Sequence, residues 1–330
     1  MSRFTRLVAP VALLLVLLLA ACGGSATSTP AATTAPTKAP TTAAASSAAS
    51  TTTTGAPSVT GVATTAPTAA STAAPAGTTA ASSATTGGVT TASGTLTVFA
   101  AASLTESFTE IKGIFEKANP GVTVQYNFGG SPTLVTQLTQ GAPADVFASA
   151  DQPNMDNAVK GGVIAGTPQI FVKNKLVIIV PKENKAGITT PKDLAKPGVK
   201  FDTTQMSVPV GAYTQTALGN FSKLPDYGAD FKANVNKNTV SQEDNVKAVV
   251  QKVQLGEADA GIVYTTDAQA AKDKLTIIAI PDAQNVIATY PIAVVKNAKQ
   301  AALGQKFVAY LLSPDGQAIL QKYGFAPSTS

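Results

Sequence analysis

Chemistry in this chain falls to hydroxyls, backbone amides and lysines. The 330 residues contain no histidine, the two arginines are Arg3 and Arg6, and Cys22 is the single cysteine. A Ser-His-Asp or Cys-His nucleophile cannot be assembled from such a set. A zinc site would need carboxylates alone, and acid–base catalysis lacks its usual agent, leaving at most Lys–Asp chemistry. Composition therefore predicts no enzyme, no catalytic residue and no metal-cation site. What remains is hydrogen-bond donation. Small or hydroxyl residues stand where helices begin, at Ser103, Ser131, Val210-Gly211 and Asn245-Val246. A helix amino terminus presents unpaired N–H groups and about half a positive charge. Four of them meeting at one cleft would cage a fully ionised oxyanion, each hydrogen bond to it contributing about 1.5–3 kcal/mol. At Val210 and Val246 only the backbone N–H can serve. Taken singly, each serine is more simply a helix cap. Tyr264, closing an apolar run, is more simply a core side chain with its hydroxyl satisfied nearby.

The elements that would position these groups alternate along the chain. The stretch Thr97–Glu106, T-V-F-A-A-A-S-L-T-E, runs from a strand at 95–99 into a helix at about 104–118. Ser103 and Glu106 have capping-box spacing, which predicts that Glu106 reaches back to the Ser103 N–H or a neighbour. Asn119-Pro120-Gly121 stops that helix. A strand at 122–128 leads to a helix with Ser131 as N-cap and Pro132 at N1, closed by Gly141. Further strands are expected at 145–149, 175–180, 198–201, 260–264, 275–280 and 291–295. Helices are expected at 153–160, 211–218, from a cap at Ser241 or Asp244 to 255, and at 299–323 with a break near Pro314. The alternation predicts an α/β architecture with mainly parallel sheets, arranged as two lobes around a cleft. The strands at 175–180 and 291–295 are candidate crossovers between the lobes.

Ahead of this lies a different kind of sequence. Arg3 and Arg6 precede an apolar run from Leu7 to Ala21, which reads as a signal peptide over residues 1–21. Its end, Leu19-Ala20-Ala21-Cys22-Gly23, resembles the lipobox of bacterial lipoproteins, which implies cleavage before Cys22 and lipidation of its sulfur. From Gly23 to Ser93 the chain is almost wholly Thr, Ala, Ser, Pro and Gly, with Lys38 as its one charge. Such a segment buries too little apolar surface to offset its chain entropy, so residues 22–93 are expected to be a disordered tether. As a coil, about 70 residues span roughly 45–50 Å. The folded part is residues 94–330. There the 24 basic residues fall to 21, once Arg3, Arg6 and Lys38 are set aside, against 19 acidic ones. Near-neutrality, with no basic stripe carrying aromatics, argues against nucleic acid.

A set of motifs runs in order through residues 96–327: V-F-A-A-A-S-L-T at 98–105, G-A-P-A-D-V-F-A-S-A-D at 141–151 and V-P-V-G-A-Y at 208–213. E-D-N-V at 243–246, G-I-V-Y-T-T-D-A at 261–268, Y-P-I-A-V-V at 290–295 and K-Y-G-F at 322–325 complete it. The set carries a resemblance to the molybdate-binding proteins of bacterial molybdate ABC importers. It implies a two-lobed periplasmic-binding-protein type II fold, with lobe 1 at about 94–175 and 285–330 and lobe 2 at about 176–284. The implied ligand is molybdate or tungstate, held by hydroxyls of Ser103, Ser131 and Tyr264 and by N–H groups of Ser103, Ser131, Val210 and Val246. The implied partners are an ABC permease with its ATPase, for a lipid-anchored monomer on the extracytoplasmic face of the membrane that uses no cofactor. The chain departs from the family pattern where F-x-S-S-S-x-L becomes F-G-G-S-P-T-L at 128–134, where Val210 replaces the alanine of P-A-G, and where Thr204-Gln205 replaces Asp-Pro. A donor-only cage suits molybdate and tungstate, whereas phosphate at neutral pH keeps a proton and profits from an acceptor. Exclusion of sulfate would rest on cavity size. Two other readings stay open from sequence: a binding protein for another oxyanion such as sulfate or phosphate, and a cell-surface interaction module on a stalk.

Overall fold

The computed structural model describes residues 93–328. The signal run to Ala21, Cys22 with its expected lipid, and the tether as far as Ala92 lie outside the described residues. In chain order the elements are β1 (Gly94–Ala101), α1 (Thr105–Ala118), β2 (Val122–Gly129), α2 (Ser131–Thr139), β3 (Val146–Ala148), α3 (Gln152–Lys160) and β4 (Ile164–Pro181). Then come β5 (Phe201–Thr204), α4 (Pro209–Phe221), α5 (Phe231–Lys237), β6 (Thr239–Glu243), α6 (Val246–Leu255), β7 (Ala260–Tyr264) and α7 (Thr265–Ala270). The chain ends with β8 (Leu275–Ala279), β9 (Ile287–Val295), α8 (Ala301–Leu312), α9 (Pro314–Lys322) and β10 (Ala326–Pro327).

Local sequence explains most of these bounds. In α1, Phe108, Ile111 and Phe115 recur at helical spacing and are buried. Gly121, at φ +90°, turns the chain out of that helix. Phe307 of α8 meets Phe108 and Phe115 edge-on at 5.9 and 5.2 Å, which closes the core beneath β1. The break near Pro314 appears as expected: Ser313 ends α8 and caps α9, its side chain accepting from the Gly316 N–H. The segment between α4 and α6 has secondary structure of its own. It folds as α5 and β6, and α6 is capped by Asn245, not by Ser241 or Asp244, because the Asn245 side chain accepts the Ala248 N–H while residues 239–243 are extended.

Strand order is β2-β1-β3-β9-β4-β7-β5-β6, with β8 and β10 also pairing to β4. The outer pairs β1–β2, β1–β3, β5–β6 and β5–β7 are parallel. Every pairing of β4 or β9 is antiparallel, so the sheet is mixed and not mainly parallel. The reason is connectivity. Helical crossovers return the chain in the same sense, whereas β4 runs on from one half into the other and β9, entered on the return, runs opposite to both β3 and β4. The apolar run at 175–180 is the second part of an 18-residue strand. Up to Lys175, β4 pairs with β9, and from Leu176 it pairs with β7 and β8. One long strand thus belongs to both halves. The run at 291–295 does not cross. It lies within β9, wholly in the first half, and the return passes through residues 280–286. Apolar alternation marks a strand but not its partners.

Candidate functional site

Between the halves lies a small cavity, about 220 Å³ when its opening to solvent is included, and Ser103, Ser131, Val210, Val246 and Tyr264 all line it. Each arrives at the end of a strand or the start of a helix. Ser103 lies in a 3-10 turn, Ala102–Leu104, that joins β1 to α1. Ser131 opens α2, Val210 lies in the first turn of α4, and Val246 opens α6. In such positions the N–H has no acceptor within its own helix. Tyr264 ends β7. The first half supplies the two serines and the second half the other three.

Two expected local geometries are not found. Ser103 is not a cap and forms no capping box with Glu106. The 3-10 turn pushes the start of α1 to Thr105, with Leu104 at its N-cap position and no side-chain cap bond. Glu106 turns outward instead, and both its oxygens accept from Lys247 Nζ of α6 at 2.7 Å. A full positive charge within reach outcompetes a backbone amide, so Glu106 does not take up the Ser103 N–H. Ser131 is likewise the first helical residue, with Gly130 in the cap position at an extended φ, ψ of −65°, 137°. Its hydroxyl oxygen accepts the Ala150 N–H at 3.1 Å, so its proton remains to be given. The A-S-A-D segment before α3 therefore holds Ser131 in place.

Tyr264 departs from the core reading. Its ring is buried, at 1 % exposure, yet its hydroxyl has no hydrogen-bond partner. Burial, reinforced by Tyr290, Tyr213 and the carboxylates of Asp151 and Asp267, pushes its ionisation well above the ordinary phenol range. It is a protonated donor aimed at the cavity. A buried hydroxyl without a partner costs about 1–3 kcal/mol and is exceptional in a folded chain. No carboxylate is found among the residues lining the cavity. The Ser103 and Ser131 hydroxyls, each already within hydrogen-bond reach of a neighbour, the unpaired Tyr264 hydroxyl, Asn245, and backbone and aliphatic groups make up its wall.

The halves meet closely around it. A Cβ placed on Gly130 would stand 2.1 Å from the Asp244 carbonyl oxygen, so only a residue without one fits this approach. Asn154 Nδ2 donates to the Ser207 carbonyl across the gap at 3.3 Å. Lys247, besides holding Glu106, meets Asp267 of α7 at 2.9 Å as an ion pair without hydrogen-bond alignment. Burial raises Asp267 against the lowering effect of Lys247, and the two carboxylates together raise Lys247 despite its own burial. Sequence reading missed Lys247 and Tyr290. Tyr290, in β9, places its Oη 2.9 Å from Ser103 Oγ, both groups being buried. A tyrosine opening an apolar run carries no signal of that contact.

A family model described as bacterial extracellular solute-binding protein matches residues 96–326. The chain is 42 % identical over 232 residues to the molybdate-binding protein ModA of Mycobacterium tuberculosis, covering 70 % of this chain and 84 % of that one. It is 34 % identical over 240 residues to ModA of Escherichia coli, with 70 % and 88 % covered. Among solved structures, the periplasmic molybdate-binding protein of Azotobacter vinelandii superposes with a TM-score of 0.60 at 22 % identity, covering 70 % of this chain and 98 % of that one, a likeness of fold.

Proposed function

The chain belongs to the bacterial extracellular solute-binding proteins, among the molybdate-binding proteins, and on that premise we propose that it captures molybdate or tungstate outside the cell membrane for an ABC importer. The observation that carries this reading is the buried Tyr264 hydroxyl, unpaired and facing a cavity walled by donors from both halves. In this reading Ser103, Ser131 and Tyr264 give hydroxyl protons to the oxyanion, and Ser103, Ser131, Val210 and Val246 give backbone N–H groups. Lobe 1, residues 94–175 and 285–330, and lobe 2, residues 176–284, close on the ligand because only the shut form contacts it from both sides. Cys22 bears the lipid that holds the monomer to the membrane, and residues 23–93 give it reach toward the permease and its ATPase. A wall without a carboxylate favours a fully ionised anion over hydrogen phosphate, and sulfate, a smaller tetrahedron than molybdate, would not reach the donors of both halves at once.

A thermal-shift screen of the protein against molybdate, tungstate, sulfate and phosphate tests this. Molybdate and tungstate at a hundredfold over Kd add about 2.7 kcal/mol of stability, a shift of several degrees. A larger shift with sulfate or phosphate moves the assignment to that anion. No shift with any of them overturns oxyanion capture and favours a surface interaction module.

A further inference from the structure

The Ser103 hydroxyl is flanked by a second, buried line of polar groups that stands outside the cavity wall. Its Oγ lies 2.9 Å from Tyr290 Oη. The Asn174 side chain, from β4, hydrogen-bonds to that phenol from behind. The Asn174 amide oxygen already accepts the Lys175 N–H at 2.9 Å, and its Nδ2 also donates to Thr266 Oγ1 at 3.0 Å. Asn174 favours the ionised form of the phenol, which only a donated N–H can do, so the amide approaches it as a donor. A phenol whose oxygen accepts from behind has one proton to give, and Ser103 Oγ is the acceptor within reach. Ser103, having accepted it, must send its own proton elsewhere. The cavity is where it can go.

We propose that Tyr290 is a positioning residue that fixes the polarity of Ser103, so that the cavity meets a donor there and never an acceptor, and that it thereby helps exclude singly protonated tetrahedral anions such as hydrogen phosphate. The inference rests on the oxyanion reading above. Burial holds the phenol protonated throughout the working pH range. Tyr290 itself has no need to touch the ligand. Removing its hydroxyl lets the Ser103 O–H rotate, and an oxygen lone pair can then face the cavity and accept from a protonated anion. The ring would stay in place, packed edge-on against Phe171, Tyr264 and Phe325.

The test is a double-mutant cycle on the full chain, with calorimetry of molybdate and of inorganic phosphate at pH 7.5 for wild type, Tyr290→Phe, Ser103→Ala and the double variant. Tyr290→Phe is expected to weaken molybdate and to lower the molybdate-to-phosphate affinity ratio about tenfold, the scale of one hydrogen bond. In the Ser103→Ala background it should change that ratio by less than twofold, since it has no hydroxyl left to orient. An equal effect in both backgrounds, or an unchanged ratio, overturns the proposal. Asn174→Ala removes the donor behind the phenol and should shift the ratio in the same direction, so an unchanged ratio there overturns it even if Tyr290→Phe proves unstable. A wild type that binds neither anion overturns the oxyanion reading, and this inference with it.

Discussion

Replacing Tyr264 with phenylalanine separates a ligand hydroxyl from a core one, because the two roles give opposite signs. The ring is buried and its hydroxyl is unpartnered. If the hydroxyl serves an oxyanion, removing it deletes one hydrogen bond to a charged group, about 1.5–3 kcal/mol. The Kd for molybdate should then rise about 10- to 150-fold. The ligand-free protein should lose nothing. The oxygen has no protein partner to forfeit, and relieving an unsatisfied buried hydroxyl is worth up to about 1–3 kcal/mol in the shut form. Isothermal titration calorimetry gives the first quantity and denaturant unfolding without ligand gives the second. An affinity within twofold of wild type would refute the reasoning. So would a weakened affinity accompanied by an equal loss of ligand-free stability, which would make the hydroxyl a structural group.

Three further perturbations bear on the charges around the site and away from it. Lys247→Met leaves Asp267 buried without its cation and should cost about 3–5 kcal/mol in denaturant unfolding. Because burial already raises Asp267, which can take up a proton, that cost should be smaller at pH 5 than at pH 8. Glu106→Gln breaks only the partly exposed arm of the same contact and should cost about 1 kcal/mol or less, so equal losses in the two variants would contradict this division. Asp202, buried beside Glu243 with one oxygen unpartnered, is pushed up to about 7, first by burial and then by that neighbour. Folded, it keeps a proton that the unfolded chain releases near pH 4, so between those values the native state binds more protons and stability falls as pH rises. Asp202→Asn should flatten that fall in melts taken from pH 4 to pH 8, and an unaltered slope would refute the assignment.

Much of this protein is legible in its residues because the signals are local. The absence of histidine removes whole classes of catalysis without any coordinates. Gly121 and the apolar spacing of Phe108, Ile111 and Phe115 mark their helix and its end from sequence alone, since both depend on backbone geometry within a few residues. The strands at 260–264 and 122–128 are equally plain. The helix starts at Ser131, Val210 and Val246, and the turn at Ser103 just ahead of α1, could be named for the same reason. Their meeting at one cavity could not be read from periodicity, and it entered the sequence reading only through the family resemblance.

Tertiary structure alone decided where the side chains point and what they face. The S-x-x-E spacing at Ser103 and Glu106 satisfies the local rule for a capping box, yet Lys247, 141 residues away, takes the carboxylate because a buried-edge cation binds it more strongly than an amide does. An apolar strand reads the same whatever pairs with it, so β4's membership in both halves and the antiparallel run of β9 depend on contacts between distant segments. The same holds for the Tyr290 phenol behind Ser103, 187 residues apart in sequence. Sequence determined the donors this chain can offer. Only the packing of the two halves decided which of those donors remain unpaired, and an unpaired buried donor is what a ligand can use.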